Sequence, residues 1–169
     1  MTTSRLDSTD LQILTDLQDE GRMTNVELAK RAGISAPPCL RRLRALEDEG
    51  FIEGYHADLN PQKLGYNVVV FAQVGLNKQS EEELIAFENL TREWSEVREC
   101  YMLSGEHDFL LKIVAENLES FQKFVNGKLT PVPNVSNVKT SLCLRTSVIK
   151  PGVEVPRPNE VSDKPTNPE

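Results

Sequence analysis

Between Ser35 and Glu49 the chain carries Arg41, Arg42 and Arg44 on a stretch whose apolar residues recur at helical spacing. Arginine offers a fork of N–H donors that matches phosphate oxygens or the edge of guanine, and an α-helix fits the DNA major groove. On a helical wheel Ala36, Cys39, Leu40, Leu43 and Leu46 share one side and are expected to pack inward. Arg41 and Arg44 point to the other side with Pro37 and Pro38, and Arg42 lies on the flank. Taken alone, the charge pattern favours an ordinary amphipathic helix with a solvated basic face. The preceding residues favour nucleic acid. Thr24 and Glu27 form a T-x-x-E capping box that starts a short helix, Gly33 ends it, and Ser35 can cap the basic helix two residues later. That spacing fits a helix-turn-helix, in which Thr24, Asn25 and the first turn from Ser35 would lie near the phosphates. Cys39 is expected as a small buried side chain.

The formal charge of −7 over 169 residues looks wrong for such a protein, but DNA responds to a local patch and not to a global sum. From Arg22 to Arg44 there are six basic residues and one acid, a net of +5, which leaves −12 on the rest of the chain. An acidic body with one basic window suits a protein that touches DNA with one face. Other functions find little support. The three cysteines, Cys39, Cys100 and Cys143, are too dispersed for a disulfide framework or a zinc-ligand pair. No apolar run reaches the roughly 20 residues of a membrane span, and the start has no apolar signal core. No metal cluster, phosphate-binding glycine loop or nucleophile–base pair stands out. A cytoplasmic, non-enzymatic protein without a cofactor or a membrane partner is expected.

The elements that must position these residues read as follows. Asp7 caps a first helix through Leu11, Ile13, Leu14 and Leu17, and Gly21 stops it. The second helix carries Val26, Leu28 and Ala29, and the third runs from Ser35 to Glu49 before Gly50. Phe51–Ala57 is strand-like, and Asn60–Gly65 reads as a hinge. Strands are expected over Tyr66–Leu76, Val97–Leu103, Phe109–Ala115 and Val135–Ser147, with Ser104–Asp108 a tight turn. Between them Ser80 with Glu83 opens a helix with Leu84, Phe87, Leu90 and Trp94 on one face. Asn117–Leu129 forms another, with Leu118, Phe121, Phe124 and Val125 apolar. The order β-α-β-β-α-β is that of a ferredoxin-like domain. The reading is α+β: a helix-turn-helix (winged-helix-like) domain over 1–59, a hinge over 60–65, a ferredoxin-like domain over 66–148 and a disordered, proline-rich tail over 149–169.

In this register the chain resembles the leucine-responsive/asparagine regulator family, Lrp/AsnC. The matching residues are Leu6-Asp7, Asn25–Arg31, Gly33–Ser35, Pro38–Arg42, Leu46-Glu47, Gly50–Tyr55 and Leu59–Pro61, then Glu99-Cys100, Ser104-Gly105, Asp108–Lys112 and Pro133–Val135. They span Leu6 to about Ser147 and leave the tail outside. The resemblance implies double-stranded DNA as a partner and an amino-acid effector. It also implies a homodimer that pairs its sheets and assembles to an octamer or similar ring. The effector would lie between dimers beside Ser104, Gly105 and Asp108, with Tyr101, Leu118, Ser141, Leu142 and Cys143 nearby. Glycine lets backbone N–H groups approach a carboxylate, and aspartate can pair with an ammonium group. By themselves Gly105 and Asp108 fit a structural hairpin turn better than a ligand site. His107 stands where well-known members carry an aromatic residue. Two other readings share these parts. One is an effector-independent nucleoid-organising protein; the other is a sirohaem-decarboxylase-like enzyme, disfavoured because the chain has only His56 and His107.

Overall fold

The computed structural model describes residues 6–156, which divide into two compact units, 6–58 with 148–156 and 59–147.

Three helices make the first unit: α1 (Ser8–Asp19), α2 (Asn25–Arg31) and α3 (Ala36–Asp48). Asp7 caps α1 through the backbone N–H groups of Thr9 and Asp10, and the Asp10 side chain accepts in return from the Asp7 N–H. Thr24 and Glu27 close the same box on α2. Ser35 holds the cap position of α3, but its side chain makes no capping hydrogen bond. The cause is local. A cap oxygen accepts from the second or third helical N–H, and those positions are Pro37 and Pro38, which have none.

Ile13, Leu28, Ala29, Cys39 and Leu46 form the core, flanked by Leu14, Leu17, Leu43 and Ile52. Leu40, expected inward, is instead 36% exposed. The seam of α3 runs through Ala36, Cys39, Leu43 and Leu46 at spacings of 3, 4 and 3, and Leu40 falls on its margin. Val26 is likewise exposed. Phe51–Ala57 is extended but is not a strand. A strand needs a neighbour for its N–H and C=O groups, and this unit has no other strand among the described residues.

The second unit is one antiparallel sheet in the order β2-β3-β1-β4, with two helices. Its elements are β1 (Val68–Leu76), α4 (Glu81–Glu93), β2 (Val97–Met102), β3 (Phe109–Ala115), α5 (Leu118–Phe124) and β4 (Val135–Leu142). Burial on β3 alternates strictly, as a sheet with one covered face requires. Val74, Phe109, Leu111 and Ile113 meet Phe87 and Trp94 from α4 and Phe124 from α5. The opposite face, with Val69, Phe71, Leu110 and Val114, is only half-buried.

Three expectations change here. The last strand stops at Leu142 and not at Ser147. Leu142 pairs with Val70, the Cys143 N–H still reaches the Val69 carbonyl at 2.9 Å, and β1 offers nothing beyond Val68. Leu90 is 42% exposed because the seam of α4 runs through Leu84, Phe87, Thr91 and Trp94. The helix expected over Asn117–Leu129 widens after Phe124 into a π turn, Val125–Leu129, whose last residue is fully buried. Of the segment expected to form the hinge, Gln62–Leu64 makes one 3-10 turn closed by Gly65 at φ +88°.

From the proline-rich C-terminal segment, residues 157–169 lie outside the described residues. The described part has no helix or strand. The Gln18 amide donates to the carbonyls of Pro151 (3.2 Å) and Val153 (2.7 Å). Gly152 between them adopts φ +46°, and a Cβ there would stand 2.7 Å from Gln18 Oε1.

Candidate functional site

The turn between α2 and α3 is closed by the Ile34 N–H on the Ala29 carbonyl (3.0 Å), with Gly33 at φ +69°. Asn25, in the first turn of α2, donates from Nδ2 to the Ala36 carbonyl (3.1 Å) and so ties α2 to the start of α3. Its Oδ1 is buried without a partner among the described residues. Of the residues expected at DNA, Thr24 spends its hydroxyl on the α2 cap, donating to Glu27 at 2.7 Å. Ser35, Pro37, Arg41 and Arg44 are exposed and Pro38 is half-buried. The proline pair that denies Ser35 its cap leaves the Ser35 hydroxyl unengaged at the start of α3. The Ala36 N–H stands beside it as an early donor of the positive helix end.

The arginines separate into two classes. Arg41 and Arg44 make no ion pair among the described residues and extend from the exposed side of α3. Arg42 instead lies 2.8 Å from both Asp7 Oδ2 and Asp10 Oδ1, partners that sequence reasoning missed. Arg31 is similarly occupied, by Glu20 at 2.8 Å and Asp16 at 3.8 Å. Of the six cations in the basic window, Arg22, Lys30, Arg41 and Arg44 have no carboxylate partner among the described residues.

The eight effector candidates are not brought together within one chain. Tyr101, Ser104, Gly105 and Asp108 lie at the end of the sheet where Phe109 pairs with Val74. Ser141, Leu142 and Cys143 lie at the other end, where Leu142 pairs with Val70, and Leu118 follows just after β3. Val70 and Val74 are four steps apart along β1, about 13 Å at roughly 3.3 Å per residue. Tyr101, Leu118 and Leu142 are each about half exposed, at 51%, 58% and 48%. The surface hollows lined by Glu20, Glu27, Lys30 and Arg31 and by Glu119, Gln122, Lys123, Asn126 and Gly127 contain none of the eight.

The loop itself is specific. Gly105 has φ +153° and open space where a Cβ would stand. The Asp108 N–H donates to the Val74 carbonyl (3.0 Å), its carbonyl accepts from Leu103 (2.8 Å), and its Oδ2 accepts from the Leu76 N–H (2.6 Å). On the open sheet face Glu99 takes the Lys112 ammonium at 2.6 Å and the Tyr101 hydroxyl at 3.0 Å. Burial raises the Glu99 carboxyl, but these two donors outweigh it and hold it below the usual carboxylate range. The bond to Glu99 in turn raises the Tyr101 phenol. Burial alone raises the Cys39 thiol, as befits a packed and unreactive side chain. Among the described residues no helix is long and apolar enough to cross a membrane.

Both halves of the chain match known protein families. Residues 6–53 match a winged helix-turn-helix DNA-binding domain, and residues 69–153 match the Lrp/AsnC ligand binding domain. The leucine-responsive regulatory protein of Rhizobium meliloti is 58% identical over 140 residues, 83% of this chain and 90% of that protein. The proline dehydrogenase transcriptional activator of Rhizobium radiobacter is 40% identical over 144 residues, 85% of this chain and 92% of that protein. Among solved structures, the L-Met complex of a transcriptional regulator from Neisseria meningitidis superposes with a TM-score of 0.81 at 36% identity, covering 86% of this chain and 94% of that one. An AsnC family regulator from Agrobacterium tumefaciens gives 0.82 at 28% identity, covering 88% and 97%. With both halves matched in register, the chain belongs to the Lrp/AsnC family and is a DNA-binding transcriptional regulator with a ligand-binding domain.

Proposed function

We propose that this regulator senses an amino acid, and that the ligand acts by changing how copies of the chain assemble on DNA. The observation that carries the reading is the loop of Ser104, Gly105 and Asp108. A glycine backbone open to solvent stands beside a carboxylate with one oxygen not engaged by Leu76. A zwitterion needs these two features: N–H donors for its carboxylate and an anion for its ammonium group. The neisserial relative solved with L-Met supports the ligand class. Because the candidate residues lie at two ends of the sheet, the pocket is completed by a second copy. One chain supplies the loop with Tyr101, and another supplies Leu118 with the Ser141–Cys143 end. The half-buried open face of the sheet supports a homodimer, and dimers build an octamer or similar ring. Residues 1–59 then form the DNA-reading part, 60–65 the hinge and 66–148 the sensing part.

At DNA, Arg41 and Arg44 enter the major groove, while the Ser35 hydroxyl and the Ala36 N–H take a phosphate. Pro37, Pro38 and the Thr24–Asn25 turn line the backbone. Much of the affinity is electrostatic and falls as salt rises. Ligand control requires that two assemblies bind the amino acid unequally, since equal binding shifts nothing. Working on the chromosome, the protein belongs in the cytoplasm.

A thermal-shift screen of the full chain against the twenty amino acids, with light scattering for assembly size, tests the reading. One or two hits that also change the size support it. A screen without hits, in a protein that still binds its selected DNA, overturns the amino-acid part.

A further inference from the structure

Arg42 sits between the two groove-facing arginines in sequence, yet its guanidinium points at the start of α1. The atoms there are apportioned with no overlap. Asp7 Oδ1 accepts from the Thr9 and Asp10 N–H groups, both at 2.9 Å, and Oδ2 faces Arg42 Nη1 at 2.8 Å. Asp10 Oδ2 accepts from the Asp7 N–H at 3.1 Å, and Oδ1 takes a hydrogen bond from the same Arg42 nitrogen at 2.8 Å. Each carboxylate therefore gives one oxygen to the end of α1 and the other to α3.

We propose that Arg42 is a positioning residue, a latch that sets the rotation of the recognition helix against α1 and is not itself a DNA contact. Two arguments lead there. Among the described residues one guanidinium faces two carboxylates, a local charge of −1, so a phosphate approaching Arg42 would meet repulsion. Arg42 also lies one turn from both Cys39 and Leu46, the buried residues through which α3 packs on the core. The apolar seam holds α3 at the right distance but resists rotation about its axis weakly. A charged, directional bond at its edge supplies that restraint. Rotation matters because Arg41 and Arg44 flank the latch, and a few degrees at the axis moves their tips relative to base edges by much more than it moves their backbone. The same latch explains how a protein with three arginines on one helix can read DNA with two.

The proposal rests on the DNA-facing assignment of Arg41, and the test separates the two. A duplex selected from random sequence by the wild-type protein, and a scrambled duplex of equal length, are titrated with wild type, Arg42→Ala, Asp10→Asn, their double variant and Arg41→Ala over a range of salt. Asp10→Asn is nearly isosteric and keeps an oxygen for the Asp7 N–H, so it loosens the latch with little harm to the α1 cap; circular dichroism melts check that each variant is folded. The latch requires Arg42→Ala and Asp10→Asn each to weaken binding to the selected duplex about tenfold, while binding to the scrambled duplex stays within about twofold. The double variant should be no worse than either single one, and the slope of log Kd against log salt should not change. Arg41→Ala should lower that slope by about 1. If Arg42→Ala lowers the slope by about 1 and Asp10→Asn leaves binding equal or tighter, Arg42 is a phosphate contact and the proposal is overturned. If neither affects the selected duplex, the latch does not position the helix, whatever Arg41→Ala shows.

Discussion

The carboxylate of Asp108 accepts a hydrogen bond from the backbone N–H of Leu76 at 2.6 Å. The pairing of β1 with β3 ends at Val74 with Phe109, so that N–H, on a residue only 6% exposed, meets a side chain in place of a regular ladder partner. An aspartate in the turn before β3 thus completes the hydrogen bonding of β1. Asp108→Ala should cost about 1–3 kcal/mol in urea unfolding, because a mostly buried donor loses its acceptor. Asp108→Asn keeps an oxygen for Leu76 and should cost less than about 1 kcal/mol. Its amino-acid response should nevertheless weaken, since the charge facing the ammonium group is gone. A full response in Asp108→Asn would remove Asp108 from the ligand site and leave it a structural residue.

Among the described residues Arg41 and Arg44 are unpaired where Arg42 is engaged, so each should report on DNA separately. Arg44→Ala, like Arg41→Ala, should lower the salt slope by about 1 if its partner is a phosphate. If it reads a base, it should cost about 1–3 kcal/mol on the selected duplex alone. Fluorescence anisotropy at several salt concentrations distinguishes these outcomes, and no change in either quantity would exclude Arg44 from the interface.

The Asp10 N–H holds the Asp7 carboxyl below the ordinary aspartate value against a burial cost, and Arg42 assists. A group so lowered contributes stability that is complete above its unfolded-state pKa and is lost as pH falls through the folded-state pKa. An NMR titration should find the Asp7 midpoint below the ordinary value. Arg42→Ala should raise it only partway, because the Asp10 N–H is the larger cause. A midpoint at or above the ordinary aspartate value would contradict the capping geometry.

Gly152 is needed where it stands, both for φ +46° and for the approach of Gln18. Gln18→Ala and Gly152→Ala should each release the 151–153 segment and hasten cleavage after Glu154 by a glutamate-specific protease several-fold. Thermal stability should hardly change, since the contact is solvent-exposed. Unchanged cleavage in both variants would mean that the amide does not hold this segment.

Leu46→Ala should cost about 2–5 kcal/mol, as for a packed core leucine. Leu40→Ala should cost under about 1 kcal/mol, because its side chain is partly in water already. Chemical denaturation of the two variants tests the seam of α3 directly. Equal losses would place Leu40 in the core after all.

Much was legible along the chain because it depends on near neighbours. The capping box at Thr24–Glu27, the Asp7 cap, the Gly33 turn, the alternation of β3 and the order of strands and helices all follow from hydrogen bonds and side-chain periods that span a few residues. The segregation of charge and the exposed sides of Arg41 and Arg44 follow from the same periods. Less legible were contacts between distant residues. Nothing in the spacing of Asp7, Asp10 and Arg42 says that 32 residues apart they share a guanidinium. Nor could periodicity decide whether Leu40 or Leu43 lies nearer the centre of a seam, because that depends on where α1 presses. The Phe51–Ala57 segment has the composition of a strand but no neighbouring strand among the described residues, and β4 ends where β1 begins. A strand is a property of a pair. By itself the sequence determined the family, the two kinds of unit and the residue types at each surface, because local propensity and burial pattern are written into every few residues. Only the tertiary structure decided which arginine is free, which aspartate oxygen is engaged and how far apart the ligand-site candidates fall, because those outcomes depend on register and packing between segments that the chain brings together from a distance.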